Sequence, residues 1–407
     1  MTDVSRVVIV GAGQAGCWAA KGLRQYDFAG EVILLGDEPY PPYDRPPLSK
    51  AVLLGDVEPR ATWYLSPEEL AEMGVDFRPG VRVDAINRAD RTLELAGGES
   101  LGYNRLILAT GARVRELKLP DSDGAPILYL RSMDDCLHLK TVLKPGAKVI
   151  VVGGGLIGLE VAAAARKLGA EAAVVEVAER VMARVVGPEI SAHYEAMHRS
   201  HGVDVLCGVM PERIDSGADG CRLVCGDVSV EGTAIVAGIG VIPNSELAAT
   251  AGLETEGGIW VDEYTRTADP AIHAAGDVTN HYHPGFGRRM RMETWQNAQN
   301  QGMAAGKIIA GREEPYNDTP WGWSDQYGVN LQMLGIPETF DGAIMRGRPE
   351  DGSFSLYYLK DGRLDAMAAV DAVRDVAVSR RLLAMKTELD PAALADTSVE
   401  MKSLMKR

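Results

Sequence analysis

The sequence has no apolar run long enough to cross a membrane. Its first such run, Val7 to Val10, ends at once in glycines, and no basic leader or small-residue cleavage site surrounds it. No signal peptide is read, and the expected location is the cytoplasm. An excess of positive charge is missing too: 42 Lys and Arg face 57 Asp and Glu, a formal net charge of −15. That excludes a general nucleic-acid binder, because a phosphate backbone needs a basic surface. It does not exclude a protein partner, which meets a local patch and not the total. Cysteine is sparse and scattered, at Cys17, Cys136, Cys207, Cys221 and Cys225, with no Cys-x-x-Cys. An odd, dispersed set suits a reducing compartment. Cys221 and Cys225 sit in a strand-like run and are read as free thiols, since a zinc site needs about four ligands. His281 and His283 lack a carboxylate or thiol cluster and read as loop decoration. His193, His198 and His201 read as a solvated helix face. No metal site is expected.

What is present is glycine in a specific grammar. A chain of 407 residues suits two or three domains. An apolar strand, Arg6 to Val10, runs into Gly11-Ala-Gly13-Gln14-Ala15-Gly16, and a helix is expected from Cys17 to about Arg24. A second strand, Glu31 to Leu35, ends at Gly36-Asp37, with the acid 21 positions after Gly16. In such a βαβ unit the first glycine permits the tight turn, the second lets a pyrophosphate approach the backbone, and the third lets helix and strand pack closely. The helix N-terminus offers free N–H groups to phosphate, and the distant acid suits ribose hydroxyls. The grammar repeats: strand Lys148 to Val152, turn Gly153-Gly-Gly155-Leu156-Ile157-Gly158, helix Leu159 to Leu168, strand Ala172 to Val175, and Glu176 18 positions after Gly158. One such fingerprint is weak evidence. Two in context outweigh the alternative of ligand-free glycine turns, and imply two dinucleotides or one and a degenerate repeat.

Two further segments identify the arrangement. One is Tyr103-Asn-Arg-Leu-Ile-Leu-Ala109-Thr110-Gly111, and the other is Thr265 to His273 followed by Ala-Ala-Gly276-Asp277. They resemble the markers of flavoproteins with two dinucleotide-binding domains. With Pro42-Tyr43-Asp44-Arg45-Pro46-Pro47-Leu48-Ser49-Lys50, Thr294-Trp295 through Gln301-Gly302, and Trp323-Ser324-Asp325-Gln326, the finer resemblance is to the NADH-dependent ferredoxin reductases of bacterial oxygenase systems. The resemblance implies an α/β fold with two Rossmann-like domains, the NAD domain inserted in the FAD domain, plus a small α+β C-terminal domain. The expected boundaries are 1–112 and 246–326 for FAD, 113–245 for NAD, and 327–407 for the third domain.

It also implies roles. Gly11, Gly13, Gln14, Ala15, Gly16, Asp37, Arg45, Lys50, Val83, Ala109, Thr110, Gly111, Arg131, Asp277 and Trp295 are expected at FAD. Asp277 takes the ribityl chain, with an adjoining helix toward the phosphates, and Trp295 heads the helix beside the flavin ring. Gly153, Gly155, Leu156, Ile157, Gly158, Glu160 and Glu176 are expected at NAD. A carboxylate at Glu176 would repel a 2′-phosphate, so NADH is expected over NADPH, with nearby Arg180 as the one feature against it. No catalytic acid or base is required for hydride transfer; Lys50 and Glu160 are the candidate tuners of position and charge. The expected partner is a [2Fe-2S] ferredoxin serving a cytochrome P450 or a ring-hydroxylating oxygenase. Arg288 and Arg289, in a basic loop, and Lys307, followed by Arg312 on the next helix, are candidates to dock it. A disulfide- or peroxide-reducing flavoprotein would need cysteine in the loop of residues 40–50, which has none. A non-enzymatic redox-sensing protein is the other alternative.

Overall fold

The computed structural model describes residues 4–120, 122, 124–217, 220–337 and 340–406. The chain divides into two compact units: Met1–Asp44, Pro59–Arg113 and Val241–Pro320 form the first, and Arg45–Glu58, Val114–Gly240 and Trp321–Arg407 the second.

In the first unit, five parallel strands lie in the order Ile272–Ala274, Arg105–Leu108, Arg6–Val10, Glu31–Leu35, Val75–Arg78. The runs Val7 to Val10 and Val32 to Leu35 are apolar at every position because both sheet faces are covered. Val8, Val10, Ile33 and Leu35 face one cluster, and Val7, Ile9, Val32 and Leu34 the other. Burial of each such side chain contributes roughly 1.5–3 kcal/mol. The helix Gln14–Gln25 packs on one face beside the helix Trp295–Ile309. Glycine sets that approach: a Cβ on Gly302 would lie 2.3 Å from the carbonyl of Ala15, and one on Gly306 2.3 Å from that of Ala19. An antiparallel sheet, Val83–Asn87, Thr92–Leu95 and Ser100–Gly102, completes the crossover.

The second unit repeats the strand order: Val203–Cys207, Glu171–Glu176, Lys148–Val152, Ala234–Ala237, Ile127–Leu128, all parallel. Its fingerprint helix is Leu156–Lys167. The same unit holds an antiparallel sheet ordered Trp321–Gln326, Val329–Gly335, Arg363–Val370, Ser353–Lys360, Gly342–Arg348. The helix Val373–Met385 covers it, burying Val376 and Leu382 against Leu334, Tyr357 and Met367.

Several sequence expectations shift. Both fingerprint helices begin three residues earlier than read, at Gln14 and Leu156, because Gly13 and Gly155 are their N-caps. The basic loop before Trp295 is a hairpin of Thr279–His283 and Arg288–Met290. That hairpin also replaces the helix expected next to Asp277; the next helix starts only at Trp295. Arg312 lies beyond the end of Trp295–Ile309 and is not on it. No helix among the described residues is long and apolar enough to cross a membrane.

Candidate functional site

The first fingerprint turn is built by steric necessity. Gly11 has φ +108°, and a Cβ there would lie 2.2 Å from the carbonyl of Ala109, the first residue of Ala109-Thr110-Gly111. A Cβ on Gly16 would lie 1.9 Å from the carbonyl of Gly11. Gly13 differs: nothing stands within 4 Å of its missing Cβ. It caps the helix with no side-chain hydrogen bond and no acid in the first turn. The bare helix end and the open space beside it fit a phosphate. Asp37 is exposed just past the end of Glu31–Leu35. Ala15 is buried, and a Cβ on Gly276 would lie 2.8 Å from its Cβ, which brings the Gly276-Asp277 turn against this fingerprint. Val83 opens its strand half-buried. Thr110 donates to the Asn244 carbonyl at 2.7 Å, and Asn244 returns a bond to the Thr110 carbonyl at 2.9 Å.

Trp295 heads its helix, as expected, and is tied down by Asp44, Tyr64 and Gln14. Its indole N–H lies 2.8 Å from Asp44 Oδ1 and 3.1 Å from the Tyr64 hydroxyl. Tyr64 donates to Asp44 at 2.7 Å and also contacts Gln14 Oε1. Gln14 Nε2 donates to the Trp295 carbonyl at 3.0 Å, so the fingerprint turn and the helix head are joined. Burial and the Asp44 carboxylate hold the Tyr64 phenol far above its ordinary range.

The second turn is a copy of the first. Gly153 has φ +107° and no room for a Cβ, which would lie 2.4 Å from the carbonyl of Gly238. A Cβ on Gly158 would lie 2.0 Å from that of Gly153. Gly155 again has nothing within 4 Å and caps its helix bare. Leu156 and Ile157 form the first turn, with Ile157 exposed. Glu176 is fixed by backbone donors, Gly154 N–H at 2.5 Å and Ala178 N–H at 2.8 Å. Arg180 is spent elsewhere, on the carbonyls of Val186 and Ala183 and on the Ser191 hydroxyl. It is therefore engaged in structure.

Glu160 is 3% exposed. Its Oε2 meets Lys50 Nζ at 2.7 Å and the Ser49 hydroxyl; its Oε1 accepts from Ser324 at 2.6 Å. A buried carboxylate needs such a partner set, because an unpaired charge there is costly. The two candidate tuners are thus one ion pair. Arg45 donates to the Arg131 carbonyl at 2.5 Å, just ahead of the capping box Ser132–Asp135. Trp321 and Trp323 stack at 5.1 Å.

Other expectations are corrected. His281 and His283 are buried strand residues and not loop decoration, and His198 is fully buried and not on a solvated face. No group of three or more potential ligands forms a metal site among the described residues. The five cysteines are unpaired, and burial pushes the Cys17 thiol up to about 12, far from a reactive thiolate. Among the docking candidates, Arg289 donates to the carbonyls of Val261 and Asn280 and lies over Trp260, and Lys307 pairs with Glu314.

Residues 5–302 match the family model described as pyridine nucleotide-disulphide oxidoreductase, and residues 321–405 the one described as reductase C-terminal. The ferredoxin–NAD(+) reductase component of an anthranilate 1,2-dioxygenase system from Burkholderia cepacia is 41% identical over 402 residues, 98% of each chain. Rhodocoxin reductase of Rhodococcus erythropolis is 38% identical, covering 98% of this chain and 94% of its own. Among solved structures, the covalent putidaredoxin reductase–putidaredoxin complex superposes with TM-score 0.95 at 35% identity, over 99% of this chain and 98% of that one. A water-forming NADH oxidase from Lactobacillus brevis, at 21% identity and TM-score 0.87, shares the fold alone. Fold, glycine turns and end-to-end likeness agree: the chain belongs to the family of FAD-dependent NADH:ferredoxin reductases of bacterial oxygenase systems.

Proposed function

We propose that the protein binds FAD at the first glycine turn and NADH at the second, and delivers electrons singly to a [2Fe-2S] ferredoxin that serves a cytochrome P450 or a ring-hydroxylating oxygenase. The observation that carries this is the pair of open cradles at Gly13 and Gly155, each on a bare helix N-terminus. When bound, the flavin accepts a hydride and gives electrons up one at a time, which is cofactor chemistry. The chain supplies geometry and charge. Asp37 and Glu176 would accept from ribose hydroxyls, and Glu176 would select NADH because a 2′-phosphate would meet its carboxylate. Gln14 and Trp295 brace the first turn, while Arg45, Arg131, Val83 and Asp277 are proposed FAD contacts from the resemblance. Lys50 and Glu160 hold a charge pair for the nicotinamide and flavin. A carboxylate so fully bonded orients; it does not act as a base.

Arg288, Arg289 and Lys307 are proposed to help dock the ferredoxin. Since Arg289 and Lys307 already hold partners within the chain, their contribution would be a local positive field more than new hydrogen bonds.

The test is stopped-flow spectroscopy. NADH should bleach the flavin absorbance, and added [2Fe-2S] ferredoxin should restore it. Recovery with a disulfide or peroxide but not with any ferredoxin would overturn the reading. Replacing Arg288, Arg289 and Lys307 by Glu should raise KM for ferredoxin and spare NADH–ferricyanide activity.

A further inference from the structure

The motif Trp323-Ser324-Asp325-Gln326 lies on the strand Trp321–Gln326, and its alternate residues Ser324 and Gln326 are 0% and 1% exposed. They continue inward to Glu160 and outward to His198. Ser324 donates to Glu160 Oε1 at 2.6 Å, and Gln326 Nε2 donates to the Ser324 hydroxyl at 3.0 Å. Gln326 Oε1 lies 2.7 Å from His198 Nε2, and the Tyr327 hydroxyl is 3.4 Å from His198 Nδ1.

The protons can be assigned from the carboxylate outward. Glu160 is paired with Lys50 and only accepts, so Ser324 must give it its one proton. Ser324 then accepts, which fixes the amide of Gln326 with its nitrogen toward Ser324. The amide oxygen is left facing His198, which must carry its proton on Nε2 and accept on Nδ1. Every donor therefore points the same way, from Tyr327 to Glu160. Burial holds the His198 imidazole down to about 4, so it is neutral, as this order requires. Tyr327 lines a cavity of about 360 Å³ with Arg166, Lys167 and His201, and His201 stacks on its ring at 3.7 Å. The groups facing the carboxylate are Lys50, Ser49, Ser324 and, through its field, Tyr194; those facing His198 are Gln326, Tyr327 and His201.

We propose that Tyr327, His198, Gln326 and Ser324 are positioning residues for Glu160, a one-way hydrogen-bond chain that holds its carboxylate in one rotamer. This rests on the reading that Glu160 works at the nicotinamide. The chain orders and does not transport: a primary amide in its midst passes no proton without an unfavourable tautomer. Donors aligned on an anion polarise one another and strengthen the chain. The strand of the C-terminal sheet that supplies Ser324 and Gln326 thereby takes part in the reductive half of the cycle.

Anaerobic bleaching of the flavin by NADH, followed across roughly pH 5 to 9, tests this. Gln326→Leu should slow bleaching about tenfold across that range, while reoxidation by ferricyanide keeps its rate. Ser324→Ala is a second break in the chain and should do the same. His198→Gln, which can still donate to Gln326 Oε1, should stay within about twofold of the parent. Independently of activity, nitrogen-15 spectra should show His198 as the neutral Nε2–H tautomer at neutral pH. Parent-like rates and profiles in both chain breaks, with Glu160→Gln slow, would overturn the chain. So would equal loss of both half-reactions together with bound flavin, which marks a folding role, or an Nδ1–H or charged His198. Unchanged bleaching in Glu160→Gln would instead remove the role of Glu160, and the purpose of the chain with it.

Discussion

Glu176 shows how a single carboxylate is held in place by the backbone. Two backbone N–H groups hold both carboxylate oxygens, so the charge is fixed in place. Glu176→Ala should narrow the preference for NADH over NADPH by at least about tenfold in kcat/KM ratio, measured with both cofactors. Arg180→Ala should leave that ratio alone and lower Tm, because it frees the carbonyls of Val186 and Ala183 and the Ser191 hydroxyl. Cys17 makes the opposite case. Its thiol is buried and pushed up to about 12, so alkylation of the native protein near neutral pH should leave it unlabelled and electron transfer to ferredoxin intact. Rapid labelling with loss of turnover would bring back a thiol-dependent reaction.

At the scale of elements, each glycine turn separates two demands. Gly16 and Gly158 exist to let helix meet strand, while Gly13 and Gly155 leave room for something else. Gly158→Ala places a methyl 2.0 Å from the Gly153 carbonyl and should cost about 1–3 kcal/mol of stability in denaturant unfolding. Gly155→Val meets no protein atom within 4 Å at Cβ, so the fold should hold while KM for NADH rises; equal loss of Tm in both variants would contradict the division. The helix pair Gln14–Gln25 and Trp295–Ile309 depends on the same economy of space. Gly302→Val drives a side chain into the Ala15 carbonyl and should reduce flavin retention after gel filtration together with Tm.

Across the whole molecule, acid is the predicted weakness. Burial holds His198 and His281 down to about 4 and His273 to about 3, against an ordinary value near 6.5. The neutral native rings compete with an unfolded chain that binds protons first. The stability they represent is complete above about pH 6.5 and is lost as pH falls toward 4, by on the order of 1–3 kcal/mol per histidine. Tm should fall steeply over that window, and His198→Gln should flatten the slope; an unchanged slope would show that His198 is not buried neutral. His198 is in the second unit and the other two in the first, so both units should lose stability.

The sequence by itself determined the two βαβ units, their turns, the acids that follow and the kinship of the chain. These are local patterns: a left-handed glycine, an uncapped helix start and a strand apolar at every position leave their mark within some twenty residues. The helix starts were misplaced by three residues because the N-cap is chosen by backbone geometry, which residue type alone left open at Gly13 and Gly155. Only the tertiary structure decided which groups meet. Trp295 and Asp44 are 251 residues apart, Glu160 and Ser324 are 164 apart, and His198 and Gln326 are 128 apart. A histidine on a polar-looking helix reads as solvated until another segment covers it. Lys50 and Glu160 were each legible as candidates, but that they form one buried ion pair, satisfied by Ser49 and Ser324, follows from the need to partner a charge where water is excluded, and that exclusion exists only in the folded chain.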